Sequence, residues 1–524
     1  MTMSAHRQSR SRVHWLAPLA LATVLVLVPR TVWSQEQPAQ HDHSQHEHGQ
    51  TQQDHSQHGG QPAKKSAAEP KGKAPAKKKA SDKHSGHTPS PGGKAGDAKH
   101  AGHSAPKAGV PKHAGHGAAS TSDQQHAGHD MSAHHGGMAA FLGPYSMSRE
   151  GSGTSWLPDT TPHEGIHGQY GDWMTMWHAL FNGVYDHQGG PRGGQKTFAS
   201  GMVMGMAQRQ LGDGTFGVRA MMSPDPFMGK SGYPLLFATG ETADGRTPLV
   251  DRQHPHDLFM ELAATYSYNL SKNSSVFLYA GLPGEPALGP TAFMHRLGGM
   301  DIPEAPITHH WLDSTHITFG VVTGGLVLDK WKVEASAFRG REPDEHRFDI
   351  EAPSLDSFSA RLTYNPIEQL SMQVSAGRLH SPEQLEPNVD EDRVTASAIY
   401  TQSFGDNNLW STTVAWGRKM LQPGDTLDGF MIESALIFQK TYTLFLRAER
   451  VDENELFHDV PGFEGRVFTI NKVSVGGIYD VPLHPNVKFG VGGLVSVYGI
   501  PSEIKPFYGH DPISYMLFGR LKVQ

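Results

Sequence analysis

The chain has 524 residues, with 45 Lys and Arg against 52 Asp and Glu, a net charge of −7, and no cysteine alongside 59 Gly, 36 Pro and 33 His. So mild an acidic balance points to no nucleic-acid partner, and the missing Cys excludes disulfides, thiolate zinc sites and a cysteine nucleophile. Any metal chemistry must use His, Met and carboxylates.

Residues 1–34 read as an export signal. Arg7, Arg10 and Arg12 precede the apolar run Trp15 to Val28, and Val32-Trp33-Ser34 offers the cut. The run has 14 residues, fewer than the roughly 20 a spanning helix needs.

Residues 35–137 are expected to form a disordered, metal-seeking tail. Imidazoles recur in pairs one to three residues apart: His41 and His43, His46 and His48, His55 and His58, His84 and His87, His100 and His103, His113 and His116, His126 and His129, His134 and His135. A flexible chain can wrap such pairs around Cu(II), Zn or Ni. Lys64, Lys65, Lys71, Lys73 and Lys77 to Lys79 keep the stretch solvated. A solubilising spacer with incidental His is the competing reading.

Residues 138–171 form a lead-in on the periplasmic side. His163-Glu164-Gly165-Ile166-His167 is a literal H-E-x-x-H, which works as a zinc protease site only on a helix. Pro162, Gly165 and Gly168 argue against that helix, and no catalytic residues are expected.

Residues 172–524 read as all-β, a transmembrane antiparallel barrel. Alternation of period two predicts strands over 172–185, 198–209, 214–222, 257–269, 274–282, 313–328, 330–340, 355–365, 369–380, 391–403, 408–417, 428–439, 441–451, 465–480, 485–498 and 513–523. That makes sixteen strands, with fourteen also compatible. Connections alternate short, as in Leu211-Gly212-Asp213-Gly214, and long, as in 223 to 256 and 283 to 312. Membrane barrels show this alternation.

On the first strand Met174, Met176 and His178 share a face, and on the second Met202, Met204 and Met206 do. Pointed inward, these thioethers would suit Cu(I). The opposite phase turns the second row to lipid and leaves Gly201, Val203, Gly205 and Ala207 inside. His254 and His256 close one long loop, and Met294-His295-Arg296, His309, His310 and His316 lie in or just after the next. These imidazoles could converge on one ion, or pair with Asp251, Asp257 or Asp313 to order loops folded into the pore.

Ionic Arg219, Glu261, Lys332, Glu334, Arg361, Glu433 and Arg447 oppose the apolar parity, so charges face inward. Trp173, Trp177, Tyr266, Tyr268, Trp410 and Trp416 near strand ends fit interfacial girdles. The chain ends on Leu521-Lys522-Val523-Gln524, with Phe518 the nearest candidate for a terminal aromatic.

Gly143-Pro144-Tyr145-Ser146-Met147-Ser148-Arg149-Glu150, Val184-Tyr185-Asp186-His187-Gln188-Gly189-Gly190-Pro191-Arg192 and Asp251-Arg252-Gln253-His254-Pro255-His256-Asp257 carry a resemblance. Over roughly 138 to 524 the chain resembles poorly characterised proteobacterial outer-membrane proteins found beside copper and heavy-metal resistance genes. Its tail is similar in kind to the leader of copper-resistance protein B. The resemblance implies metal handling, copper foremost, with periplasmic copper-handling proteins as partners; the N-terminus of such a barrel lies in the periplasm, so the tail is expected there too. It names no residues. The expectation is an outer-membrane barrel, in contact with lipid, that binds or conducts copper, or zinc or nickel, in metal tolerance. The alternative is a general porin or small-solute channel.

Overall fold

The computed structural model describes residues 140–524. The signal segment and the tail imidazoles from His41 to His135 lie outside the described residues. Sixteen antiparallel strands close into one barrel. The first eight are β1 Trp173–Gln188, β2 Gly194–Leu211, β3 Gly214–Met222, β4 Phe259–Ser271, β5 Ser274–Gly281, β6 Val321–Leu328, β7 Trp331–Phe338 and β8 Ser357–Ile367. The second eight are β9 Leu370–Leu379, β10 Asp390–Phe404, β11 Asn408–Gln422, β12 Thr426–Phe438, β13 Tyr442–Glu453, β14 Phe468–His484, β15 Val487–Gly499 and β16 Ile513–Val523. Each pairs with the next, and β16 closes on β1 from Tyr515 opposite His187 to Val523 opposite Ala179. A short strand, Ile166–Tyr170, forms a hairpin with the start of β1 across Gly171.

Alternating chemistry explains why these segments become barrel strands. On β7, Val333 is 52% exposed while its neighbours Lys332 and Glu334 are 0% and 1% exposed. The same inversion runs around the barrel, with Leu362, Val374, Val414, Leu444, Val475, Val491 and Leu517 outward and Arg361, Thr363, Glu433, Arg447, Ser474 and Ser496 inward. An apolar outer face satisfies hydrocarbon, and closure leaves no unpaired sheet edge there. Trp331 stacks on Tyr364 at 3.9 Å between ring centroids, and Tyr442 lies 5.4 Å from Tyr479, beside the tight turns. Those turns use left-handed backbone at Gly212 (φ +62°) and Asn407 (φ +60°), the residue types that tolerate it.

Two expectations are corrected at the strand ends. The strand expected from residue 313 begins at Val321, because Ser314–His316 forms a 3₁₀ turn inside the barrel. Phe518 faces inward and is buried, so it is no lipid-facing terminal aromatic.

The lumen is filled. Residues 140–162, expected ahead of the barrel, run inside it from the tight-turn end. Ser275 Oγ donates to the Leu142 carbonyl at 2.7 Å, Arg219 Nη2 to the Gly153 carbonyl at 2.5 Å and Asn365 Nδ2 to the Leu157 carbonyl at 2.9 Å. Lys332 Nζ donates to the Thr154 carbonyl. From the other end the 282–320 loop descends: Gly289 N donates to Ser375 Oγ at 2.8 Å, and Trp311 packs on Gly417 and Gly429, where a Cβ would collide with it. Arg296, fully buried, bonds both Asp313 and Glu433 at 2.6 Å. The inward charges of the wall thus anchor the filling.

Candidate metal centre

The long loops bring the expected imidazoles together. His254 and His256 close the 223–258 loop, while His309, His310 and His316 sit in the 282–320 loop on Leu312's short helix and the 3₁₀ turn after it. Their rings form a chain, with centroids 5.9 Å apart for His254 and His310, 5.6 Å for His310 and His309, 5.0 Å for His309 and His316, and 5.2 Å for His316 and His256. Phe293 packs on His309 at 5.5 Å and on His316 at 6.1 Å.

Each ring is held at Nδ1. His309 contacts Asp313 Oδ1 at 2.8 Å, His256 contacts Asp225 Oδ2 at 2.8 Å, and His316 contacts the Asp313 carbonyl at 2.8 Å. His254 lies 3.4 Å from Glu241 and His310 3.4 Å from Glu342. A carbonyl or carboxylate oxygen only accepts, so at the three short contacts Nδ1 carries the proton and a neutral ring offers its Nε2 lone pair. The Nε2 atoms of His254, His310 and His316 are buried with no hydrogen-bond partner. Burial first, then neighbouring imidazoles, pushes the pKa of His254 and His316 well below the ordinary histidine range. Burial also lowers His309, against the opposing pull of Asp313.

Of the anticipated carboxylate partners, only Asp313 takes an imidazole. Asp251 instead holds Arg192 at 2.6 Å and Asp257 holds Arg347 at 3.2 Å. Asp225, Glu241 and Glu342 are the partners the sequence did not single out. Among the described residues, three His or carboxylate donors lie within 4.8 Å of one another only at Asp344, Glu345 and His346, in the loop between β7 and β8.

The methionine rows take the inward phase. Met202, Met204 and Met206 are buried on β2, and the outward residue between them, Val203, is exposed. Met176 is buried and His178 half-buried on the facing row of β1, but Met174 is 42% exposed at the barrel rim and departs from the ladder. Met147, Met221 and Met260 join the cluster, with Met294 packed against it. His163 and His167 lie 6.0 Å apart, but Ile166 and His167 are already strand, so the helical H-E-x-x-H geometry is not made. Glu164 is engaged by Lys522 at 3.0 Å.

No family model matches the chain. No match is found among characterised proteins. Among solved structures, the anion-selective porin from Comamonas acidovorans is similar at 10% identity and a TM-score of 0.42, covering 67% of this chain and 99% of the porin. The outer membrane channel DcaP of Acinetobacter baumannii is similar at 11% identity and a TM-score of 0.39, covering 68% and 99% respectively. OprB of Pseudomonas putida is similar at 9% identity and a TM-score of 0.42, covering 67% and 94%. The chain's own strand register and inverted polarity define a membrane-spanning β-barrel of the outer-membrane type, here with a filled lumen.

Proposed function

We propose that the protein is an outer-membrane barrel that binds transition-metal ions, copper foremost, inside its filled lumen and passes them across the membrane in metal tolerance. The observation that carries this reading is the chain of five imidazoles in which three Nε2 atoms are buried without partners. Each such atom costs about 1–3 kcal/mol when left unpaired. Coordination of a cation would satisfy all three in one cluster. Anchoring of Nδ1 by a carboxylate or carbonyl is the outer-shell arrangement that orients metal-binding histidines. As the rings stand, no three donors of this cluster lie within 4.8 Å of one another, so an ion held by three of them requires the rings to turn from their present torsions.

Imidazole suits copper, zinc and nickel alike; the resemblance to barrels near copper-resistance genes favours copper. In this reading the His-rich tail gathers ions on the periplasmic side and exchanges them with copper-handling proteins there. A small-solute channel fits less well, because Lys332, Arg361 and Arg447 on the wall are shielded from water where an open bore would wet them.

The test replaces His254, His310 and His316 by Gln in the full-length protein. Excess free histidine strips the tail's modest sites, and calorimetry then follows Cu(II) and Zn binding. Loss of the tight class, together with lower copper tolerance in a strain carrying only the variant, is expected. Wild-type binding and tolerance would leave these imidazoles a purely structural role in ordering the loops.

A further inference from the structure

We propose that the tight-turn end of the lumen holds a second site, built for a soft monovalent cation of the Cu(I) or Ag(I) kind from His178, His295 and the thioethers of Met202, Met204 and Met206. It rests on the metal-handling reading above, but its ligands are different in type and in chain position.

The strand register sets the geometry. His178 on β1 stands directly opposite Met204 on β2, with Leu180 opposite Met202 and Met176 opposite Met206. Successive inward residues of one strand therefore bracket the imidazole with three thioethers. His295, at the end of the 3₁₀ turn Phe293–His295, brings a second ring to 6.3 Å from the first. The Nε2 atoms of both rings are buried and without partners. Both rings and all three methionines line one cavity of about 100 Å³, room for a water-sized occupant, since a water takes about 30 Å³.

The donor set selects the cargo. Thioethers bind Cu(I) and its relatives and bind hard cations poorly, while imidazole is acceptable to both. Among the described residues lining this cavity, both acidic side chains are engaged. Glu150 accepts from the Leu142 N–H at 2.8 Å and from the Tyr145 hydroxyl at 3.2 Å, and Glu164 is paired with Lys522 at 3.0 Å. Methionine as mere filler explains the packing on Phe141 and Trp156 but not two unpartnered imidazole nitrogens among the thioethers. Met202 and Met300 also line the adjoining cavity of about 60 Å³ that holds His254 and His256. The two sites therefore adjoin along one wall.

The experiment uses full-length protein in detergent with excess free histidine, Ag(I) as a redox-inert probe, and Cu(I) for spectroscopy. X-ray absorption of the one-equivalent Cu(I) complex is expected to show sulfur as well as nitrogen neighbours; nitrogen and oxygen alone would overturn the proposal. The near-isosteric variant M204L/M206L, which spares Met202 in the wall shared with His254 and His256, should lose Ag(I) affinity on the order of 100-fold, since even outer-shell losses cost roughly 10–100-fold. Its Cu(II) binding and heat-modifiable gel mobility should stay unchanged. Unaltered Ag(I) affinity in that variant would remove the soft site and leave the loop site standing. Should the variant fail to fold, the wild-type spectrum decides alone. Loss of Cu(II) binding in the loop-histidine variant with Ag(I) binding kept would confirm that the two sites are separate.

Discussion

At the scale of single residues, the five loop imidazoles differ from those of the tail in what surrounds them. Burial lowers the pKa of His254, His309 and His316, so protons displace a metal from them only at a pH below the ordinary range. The tail repeats, read as solvated, should titrate near the unperturbed value of about 6.5. Acidifying Cu(II)-loaded full-length protein in steps should release metal in two stages, the tail's share by about pH 5.5 and the loops' share only below that. Metal analysis after each step checks this, and a single release midpoint near pH 6 for all bound copper would be the contrary result. The meeting of His254, His256, His309, His310 and His316 was legible because two adjacent long loops carried them. Apart from Asp313, their partners were not. Glu241 lies midway along a long loop and Glu342 in a third loop, and nothing in local spacing ties either to an imidazole.

At the scale of elements, period-two alternation located the strands well, since a barrel wall imposes opposite solvents on its two faces. It failed where both faces are apolar. On β2 the rows Met202-Met204-Met206 and Gly201-Val203-Gly205 each suit lipid or core by composition, and only the pairing with His178 on β1 fixes the phase. Alternation also failed at 313–320, where polar residues ahead of β6 serve a buried turn rather than a strand. The inward charges carried a meaning that parity alone does not give. Glu433 accepts from Arg296 at 2.6 Å and lies 3.3 Å from Arg447, all three with no exposure. Replacing Glu433 by Gln leaves two buried guanidinium groups short of an anion, and breaking such a pair costs about 3–5 kcal/mol. The expected outcome for E433Q is a clearly lower temperature for the loss of heat-modifiable mobility, with faster proteolysis inside the 282–320 loop. A variant as robust as the wild type would show that this network does not anchor the loop.

At the scale of the whole molecule, a sixteen-strand barrel is wide enough to leave an aqueous channel, and here two segments occupy it. Residues 140–162 enter from the tight-turn end and the 282–320 loop from the other. They meet where Thr291 Oγ1 contacts Ser155 Oγ at 2.8 Å and the Ala292 N–H donates to Ser152 Oγ at 2.8 Å. A freely diffusing solute would have to displace that junction, whereas an ion handed between side chains needs only small ring and thioether movements along one wall. The two modes separate in planar bilayers. Wild-type protein should show little or no steady conductance to potassium chloride, and deletion of 140–162 should raise it, because the plug's hydrogen bonds to Arg219, Lys332 and Asn365 go with the segment. The charged wall they leave behind, including the Lys332, Glu334 and Arg361 group, would then face water, so the opened state should select ions by charge and respond to ionic strength. Large open-channel conductance in the undeleted protein would instead make the filled lumen a resting state of a general porin, and the metal sites incidental to its traffic.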